Sequence, residues 1–141
     1  KNDISKKVKF KKKSYKRIFI DRSDSLQNHS KLVNNTEVIK YLKSKRYKCL
    51  RLTELNLKDQ ISIFKNCNTV IAPHGAGLTN IAFCKKNTKV IEIIPQDNKN
   101  FLFKRISKIN KLKYKSIYLD KIYNNKNGDM HLNLDDLKKY L

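Results

Sequence analysis

The sequence predicts an α/β fold, a parallel β-sheet with helices on both faces. Three observations lead there. Ile18-Phe19-Ile20, Val70-Ile71-Ala72 and Val90 to Ile94 are continuous apolar runs, as in strands covered on both sides. Segments of helical spacing separate the strands, giving the order β-α-β-α-β-α-β-α-β-α, which calls for parallel strands and right-handed crossovers. The 141 residues are enough for one domain with its own core.

Lys1 to Lys16 is lysine-rich and reads as a basic tail or inter-domain linker, with a short strand at Val8 and Phe10. Arg17 to Asp21 is the first strand. Arg22-Ser23-Asp24-Ser25 follows at its carboxyl end, where open α/β sheets bind ligands. Arg22 and Ser23 are placed to hold an anion; a loop arginine paired with Asp21 or Asp24 is the competing reading. Leu26 to Val33 is polar and loop-like. Asn34 and Glu37 form a capping-box pattern, and Val38, Ile39 and Leu42 give the stripe of the first helix. Lys48 to Leu52 is the second strand. Asn56 caps the next helix, with Leu57, Ile61 and Phe64 inward and Gln60 in its first turns.

The central stretch runs from Thr69 to Asn80. Val70-Ile71-Ala72 is a buried strand that Pro73 ends. His74-Gly75-Ala76-Gly77 is a turn, and Leu78, Ile81 and Ala82 begin a helix. The two glycines permit positive φ and close backbone approach. Free N–H groups at a helix start beside glycines suit an anion, and His74 adds a donor that is neutral or cationic near neutral pH. A phosphate or diphosphate is expected here, although two-glycine turns also occur with no ligand. The spacing matches neither GxGxxG nor GxxxxGK[ST].

Val90 to Ile94 is the next strand, and Glu92 interrupts its apolar run. A buried carboxylate is costly unless partnered. It either accepts from a ribose or sugar hydroxyl or pairs with a lysine at the sheet rim. Asn98 to Asn110 reads as a helix with Leu102, Ile106 and Ile109 inward, Tyr114 to Leu119 as a strand, and Asn124 to Gly128 as a polar loop. Asn133 caps a last helix with Leu134, Leu137 and Leu141 on one face. The organisation is thus a tail or linker (1–16), an α/β domain (17–131) and a C-terminal helix (132–141) suited to docking on another domain.

Lys and Arg number 33 against 12 Asp and Glu, a formal net charge of +21. Such a balance suits nucleic acid, an anionic membrane surface or an anionic small ligand. The excess is mostly lysine, spread over every segment and accompanied by many Asn and Ile, as A/T-rich codon usage also produces. Tyr15, Tyr41, Tyr47 and Tyr114 lie in separate elements and form no stacking module. Cys49, Cys67 and Cys84 stand apart in or beside apolar runs, which disfavours a disulfide framework and favours a reducing compartment. The histidines are scattered, so no metal site is expected. No signal peptide or membrane span is visible.

With these elements placed, the chain resembles the C-terminal half of glycosyltransferase family 61. The resemblance rests on Ile18-Phe19-Ile20-Asp21-Arg22-Ser23-Asp24, Asn34 with Glu37-Val38, Asp59-Gln60-Ile61 with Phe64, Ala72-Pro73-His74-Gly75-Ala76-Gly77-Leu78-Thr79-Asn80 with Phe83, and Val90-Ile91-Glu92-Ile93-Ile94-Pro95. It extends from Lys16 to Asp120. Asn34-Asn35 and Asp59-Gln60 stand where the family usually has Asn-Glu and Glu-Gln, and a basic pair is reduced to Lys31.

The resemblance implies a Rossmann-like donor-binding domain of a GT-B enzyme. Its reaction is inverting, metal-independent sugar transfer from a nucleotide-sugar, often UDP-linked, to a glycan or polysaccharide acceptor. No cofactor and no nucleic acid is implied. Bacterial relatives serve capsular or surface polysaccharide; the cytoplasm, at the membrane face, is the corresponding location. By position, Arg22, Ser23, His74, Gly75, Ala76 and Gly77 would surround the donor diphosphate, Arg22 and His74 acting catalytically. Leu78, Thr79 and Asn80 would begin the helix facing it, with Gln60 and Glu92 also in the donor site. A basic nucleic-acid-binding domain and a degenerate docking domain are the alternatives.

Overall fold

The computed structural model of the chain describes residues 13–24, 31–122 and 129–141. The expected strand at Val8 and Phe10, most of the loop before the first helix and the loop at Asn124 to Gly128 lie outside the described residues. The sheet has five parallel strands, β1 (Arg17–Ile20), β2 (Lys48–Leu50), β3 (Thr69–Pro73), β4 (Lys89–Pro95) and β5 (Lys113–Leu119), in the order β2-β1-β3-β4-β5. The fold is the expected Rossmann-like α/β arrangement.

Helices α1 (Asn35–Ser44) and α4 (Leu134–Lys138) contribute to one face, where Phe19, Val38, Leu42, Ile71, Ile91 and Leu137 share a cluster. Helices α2 (Leu57–Asn66) and α3 (Leu102–Ile109) contribute to the other face, together with the 3₁₀ helix Ala76–Phe83. Ile18, Ile63, Phe64, Val70, Ile81 and Phe103 meet there. Residues at successive strand positions alternate between these clusters, so every central strand is apolar on both sides, which is why its run is continuous.

Several expected helix faces are rotated. In α2 the inward positions are Gln60, Ile63 and Phe64, followed by the C-cap Cys67, while Leu57 is 65% exposed. A glutamine on the inward face masked the stripe. In α3, Phe103 and Ser107 are buried while Leu102 and Ile109 face solvent, because a serine holds a core position. That helix also starts later than expected: Asn98 and Asn100 accept hydrogen bonds from the N–H groups of Asn100 and Leu102, local turns that compete with helix. Asn56 and Asn133 cap α2 and α4 as expected.

The two ends of the described chain are built into this domain. Tyr15 packs on the α2 side, and the Lys16 carbonyl accepts from Asn68 and Thr69. Met130, Leu132 and Leu137 are fully buried in the α1-side cluster, whereas Leu141 is exposed. Main-chain hydrogen bonds link Met130 to Lys31 and Val33, and Asp129 to Ile122, so this segment bridges the loops following β1 and β5. Asn34 does not form the expected capping box. Its amide donates to the Leu132 carbonyl (2.8 Å) and to Glu37 (3.0 Å), and its oxygen accepts from the Leu132 N–H (3.1 Å). Asn34 therefore fastens the C-terminal segment to the start of α1.

Candidate functional site

The path from β1 leads through α1 to β2, and the path from β3 leads away to β4 and β5 on the other side. The carboxyl ends of β1 and β3 therefore flank the point at which the strand order reverses, the usual ligand crevice of an open α/β sheet. A pocket of about 230 Å³ opens there, lined by Arg22, Ser23, Lys31, Leu32, Asn35 and Pro73. Asn35 is the first residue of α1, and the Asn34 side chain makes no cap to that helix.

Asp21 fixes the pocket's β1 side. It is 6% exposed, its Oδ1 accepts from the Ser23 N–H (2.9 Å) and the Asn35 amide (2.9 Å), and its Oδ2 accepts from Arg51 Nε (3.1 Å). Burial alone would raise its pKa, but the hydrogen bonds from Ser23, Asn35 and Arg51 outweigh it and hold the carboxyl below its ordinary range. Its cationic partner is thus Arg51, not the neighbouring Arg22. Because the folded value is the lowered one, this stabilisation is complete above about pH 4 and is lost as pH falls through the folded value. Urea titrations near neutral pH and at about pH 3 are expected to show that loss, and Asp21→Asn should reduce it.

Arg22 extends beneath the glycine turn and donates through Nη1 to the His74 carbonyl. Burial pulls its pKa down and Asp24 opposes that shift, but a guanidinium stays charged. A Cβ on Gly75 would collide with the Arg22 guanidinium. Gly75 is extended (φ 161°, ψ 173°), so close approach, not positive φ, is what requires glycine here. Gly77 lies outside the left-handed region too, and a Cβ there would press on Leu52 (3.0 Å). The turn leads into a 3₁₀ helix, not the expected α-helix, with Leu78 N–H bonded to the Gly75 carbonyl.

The remaining expected site residues divide by environment. Leu78 is buried in the core, so its side chain offers a ligand nothing. Gln60 donates to the Leu52 and Leu55 carbonyls and accepts from Asn80, which also donates to the Gly77 carbonyl. Gln60 and Asn80 thus clip the 3₁₀ helix and the Leu52–Glu54 turn to α2. Ala76, Thr79 and Ser23 are exposed. Glu92 is 1% exposed and pairs neither with a lysine nor, in this arrangement, with an open cleft: His74 Nδ1 lies 2.6 Å from Oε1, and the Tyr114 hydroxyl donates to Oε2 at 2.5 Å. The His74 ring packs edge-on against Phe103 of α3, with centroids 5.3 Å apart. The structure therefore joins Arg22 to His74 through the main chain and His74 to Glu92 through side chains, while Arg22 and Ser23 line the pocket.

Lys31, Asn35, Asp21, Arg51 and Tyr114 were not singled out as site residues by their positions in the sequence. Lys31 had a trace, as the remnant of the basic pair. Arg51 meets Asp21 because β1 and β2 pair Ile20 with Leu50, a register invisible before the strands are aligned.

The Glycosyltransferase 61 family model matches residues 1–91. A β-1,2-xylosyltransferase of Arabidopsis thaliana is 34% identical over 68 residues, which are 48% of this chain and 13% of that protein. The β-1,2-xylosyltransferase RCN11 of Oryza sativa subsp. japonica is 31% identical over 121 residues, 75% of this chain and 23% of that protein. The chain spans less than a quarter of either relative. The family match contains the whole of β1 and β3, the Arg22 pocket and the His74 turn, and on that match the chain belongs to glycosyltransferase family 61.

Proposed function

We propose that this domain binds the diphosphate of a nucleotide-sugar, a UDP-sugar first of all, at the carboxyl ends of β1 and β3, and serves inverting transfer of the sugar to a glycan hydroxyl. The pocket at the strand-order reversal carries the proposal. It holds Arg22, Ser23 and Lys31, the chemistry that binds a diphosphate, in a member of a glycosyltransferase family. The relatives' names point to xylose as the first sugar to test.

In such a transfer the acceptor oxygen attacks the anomeric carbon as the bond to the diphosphate oxygen breaks. The bonding pair leaves with the diphosphate, and the acceptor proton passes to a base. Arg22 and His74 offset the growing negative charge without a divalent ion. The base comes from outside this domain, on an N-terminal partner domain in a GT-B arrangement. A nucleic-acid function draws less support, since Tyr47 is buried and Tyr114 is tied to Glu92.

Calorimetric titration with UDP, GDP and CDP in metal-free buffer tests this reading. UDP is expected to bind saturably, and Arg22→Ala and His74→Ala each to weaken it about tenfold, the loss of a charge-assisted hydrogen bond. A folded domain that binds none of the three would sink the proposal.

A further inference from the structure

We infer that Glu92 is a positioning residue for His74, anchored in turn by Tyr114, and that the three side chains fix which imidazole nitrogen meets the substrate. The inference deepens the donor-site reading, on which His74's role at the diphosphate rests.

Glu92 stands mid-strand in β4, between Ala72 of β3 and Ser116 of β5, where its neighbours along the strand are isoleucines. A carboxylate in that position is destabilising unless each oxygen is partnered. Both are: one by His74 Nδ1, the other by the Tyr114 hydroxyl. Burial, reinforced by the bond to Glu92, pushes the Tyr114 pKa above its ordinary value, so Tyr114 remains an O–H donor.

An ionised carboxylate only accepts hydrogen bonds, so Nδ1 of His74 must carry its hydrogen. The neutral ring then has its lone pair on Nε2, and the cationic ring presents an Nε2 hydrogen to the diphosphate. The rest of His74 is held as well. Its N–H donates to the Ile93 carbonyl (2.7 Å), its carbonyl accepts from Arg22, and Phe103 packs on the ring. Such support from surrounding groups keeps a reacting side chain in one geometry. Glu92 therefore does not contact the donor; it acts through His74.

The tautomer is read directly from imidazole ¹⁵N chemical shifts of the 141-residue chain at alkaline pH, with His74 assigned by its absence in His74→Gln. Wild-type His74 is expected to be protonated at Nδ1. Glu92→Leu, which removes the acceptor facing Nδ1, is expected to lose that signature and to bind UDP about five- to tenfold more weakly. Tyr114→Phe should weaken UDP in the same direction by a smaller factor. A wild-type His74 protonated at Nε2 overturns the inference, and it does so even where Glu92→Leu fails to fold. A folded Glu92→Leu chain with wild-type shifts and affinity overturns it equally. Absence of UDP binding by the wild type would instead count against the donor site and leave the tautomer to judge Glu92.

Discussion

Gly75→Ala is expected to leave the domain folded and to weaken UDP binding about tenfold, as far as Arg22→Ala does. The added methyl group would fall on the Arg22 guanidinium. The backbone at Gly75 is extended and accepts alanine without strain, so Arg22 must yield, and it can, being the far end of a flexible side chain. Once displaced it loses the His74 carbonyl and its place at the pocket. The thermal midpoint should change little, since overpacking against a movable side chain is relieved. The decisive measurement is a double-mutant cycle with Arg22→Ala. If Arg22 mediates the effect, Gly75→Ala costs almost nothing further in the Arg22→Ala background. Additive losses would show that the glycine meets the ligand itself.

The same pair shows how far the sequence could be read. The strands were legible because burial on both faces makes a run continuous, and the strand ends followed from Pro73 and the polar residues after Ile20. The His74 turn was legible as a candidate site because it pairs glycines with a titratable group. Why Gly75 is glycine was not: positive φ is the local explanation, whereas the cause is a side chain 53 positions earlier. Glu92 is similar. Its cost in a buried strand was visible, but its partners lie just past β3 and on β5 and appear only once the sheet is aligned. Gln60 and Ser107 misled in the opposite way, as polar residues on core faces that rotated the apparent stripes of α2 and α3. Local chemistry thus pointed to the candidate site, and sheet register supplied the contacts within it.

Asn34→Ala is expected to lower the stability of the domain by about 2–3 kcal/mol. The capping-box pattern suggested a few tenths to one or two kcal/mol for helix initiation. The structure gives Asn34 a different role. Its amide pairs with both main-chain groups of Leu132, as a neighbouring strand would. Removing it leaves an N–H and a carbonyl unpaired beside a fully buried leucine. Among the described residues, the Met130 main-chain bonds and the Asp129 side chain would still tie the C-terminal segment to the loop after β1. In a domain whose total stability is roughly 5–15 kcal/mol, the thermal midpoint should fall by about 5–10 °C. Hydrogen exchange locates the damage. The Leu132 amide should lose protection by more than the amides of β3 and β4, because the segment opens before the sheet does. Lys31, Leu32 and Asn35 line the pocket on the side that this segment holds, so UDP affinity should fall too, though less than in Gly75→Ala. A variant with an unchanged midpoint and a protected Leu132 amide would return Asn34 to the role of a helix cap.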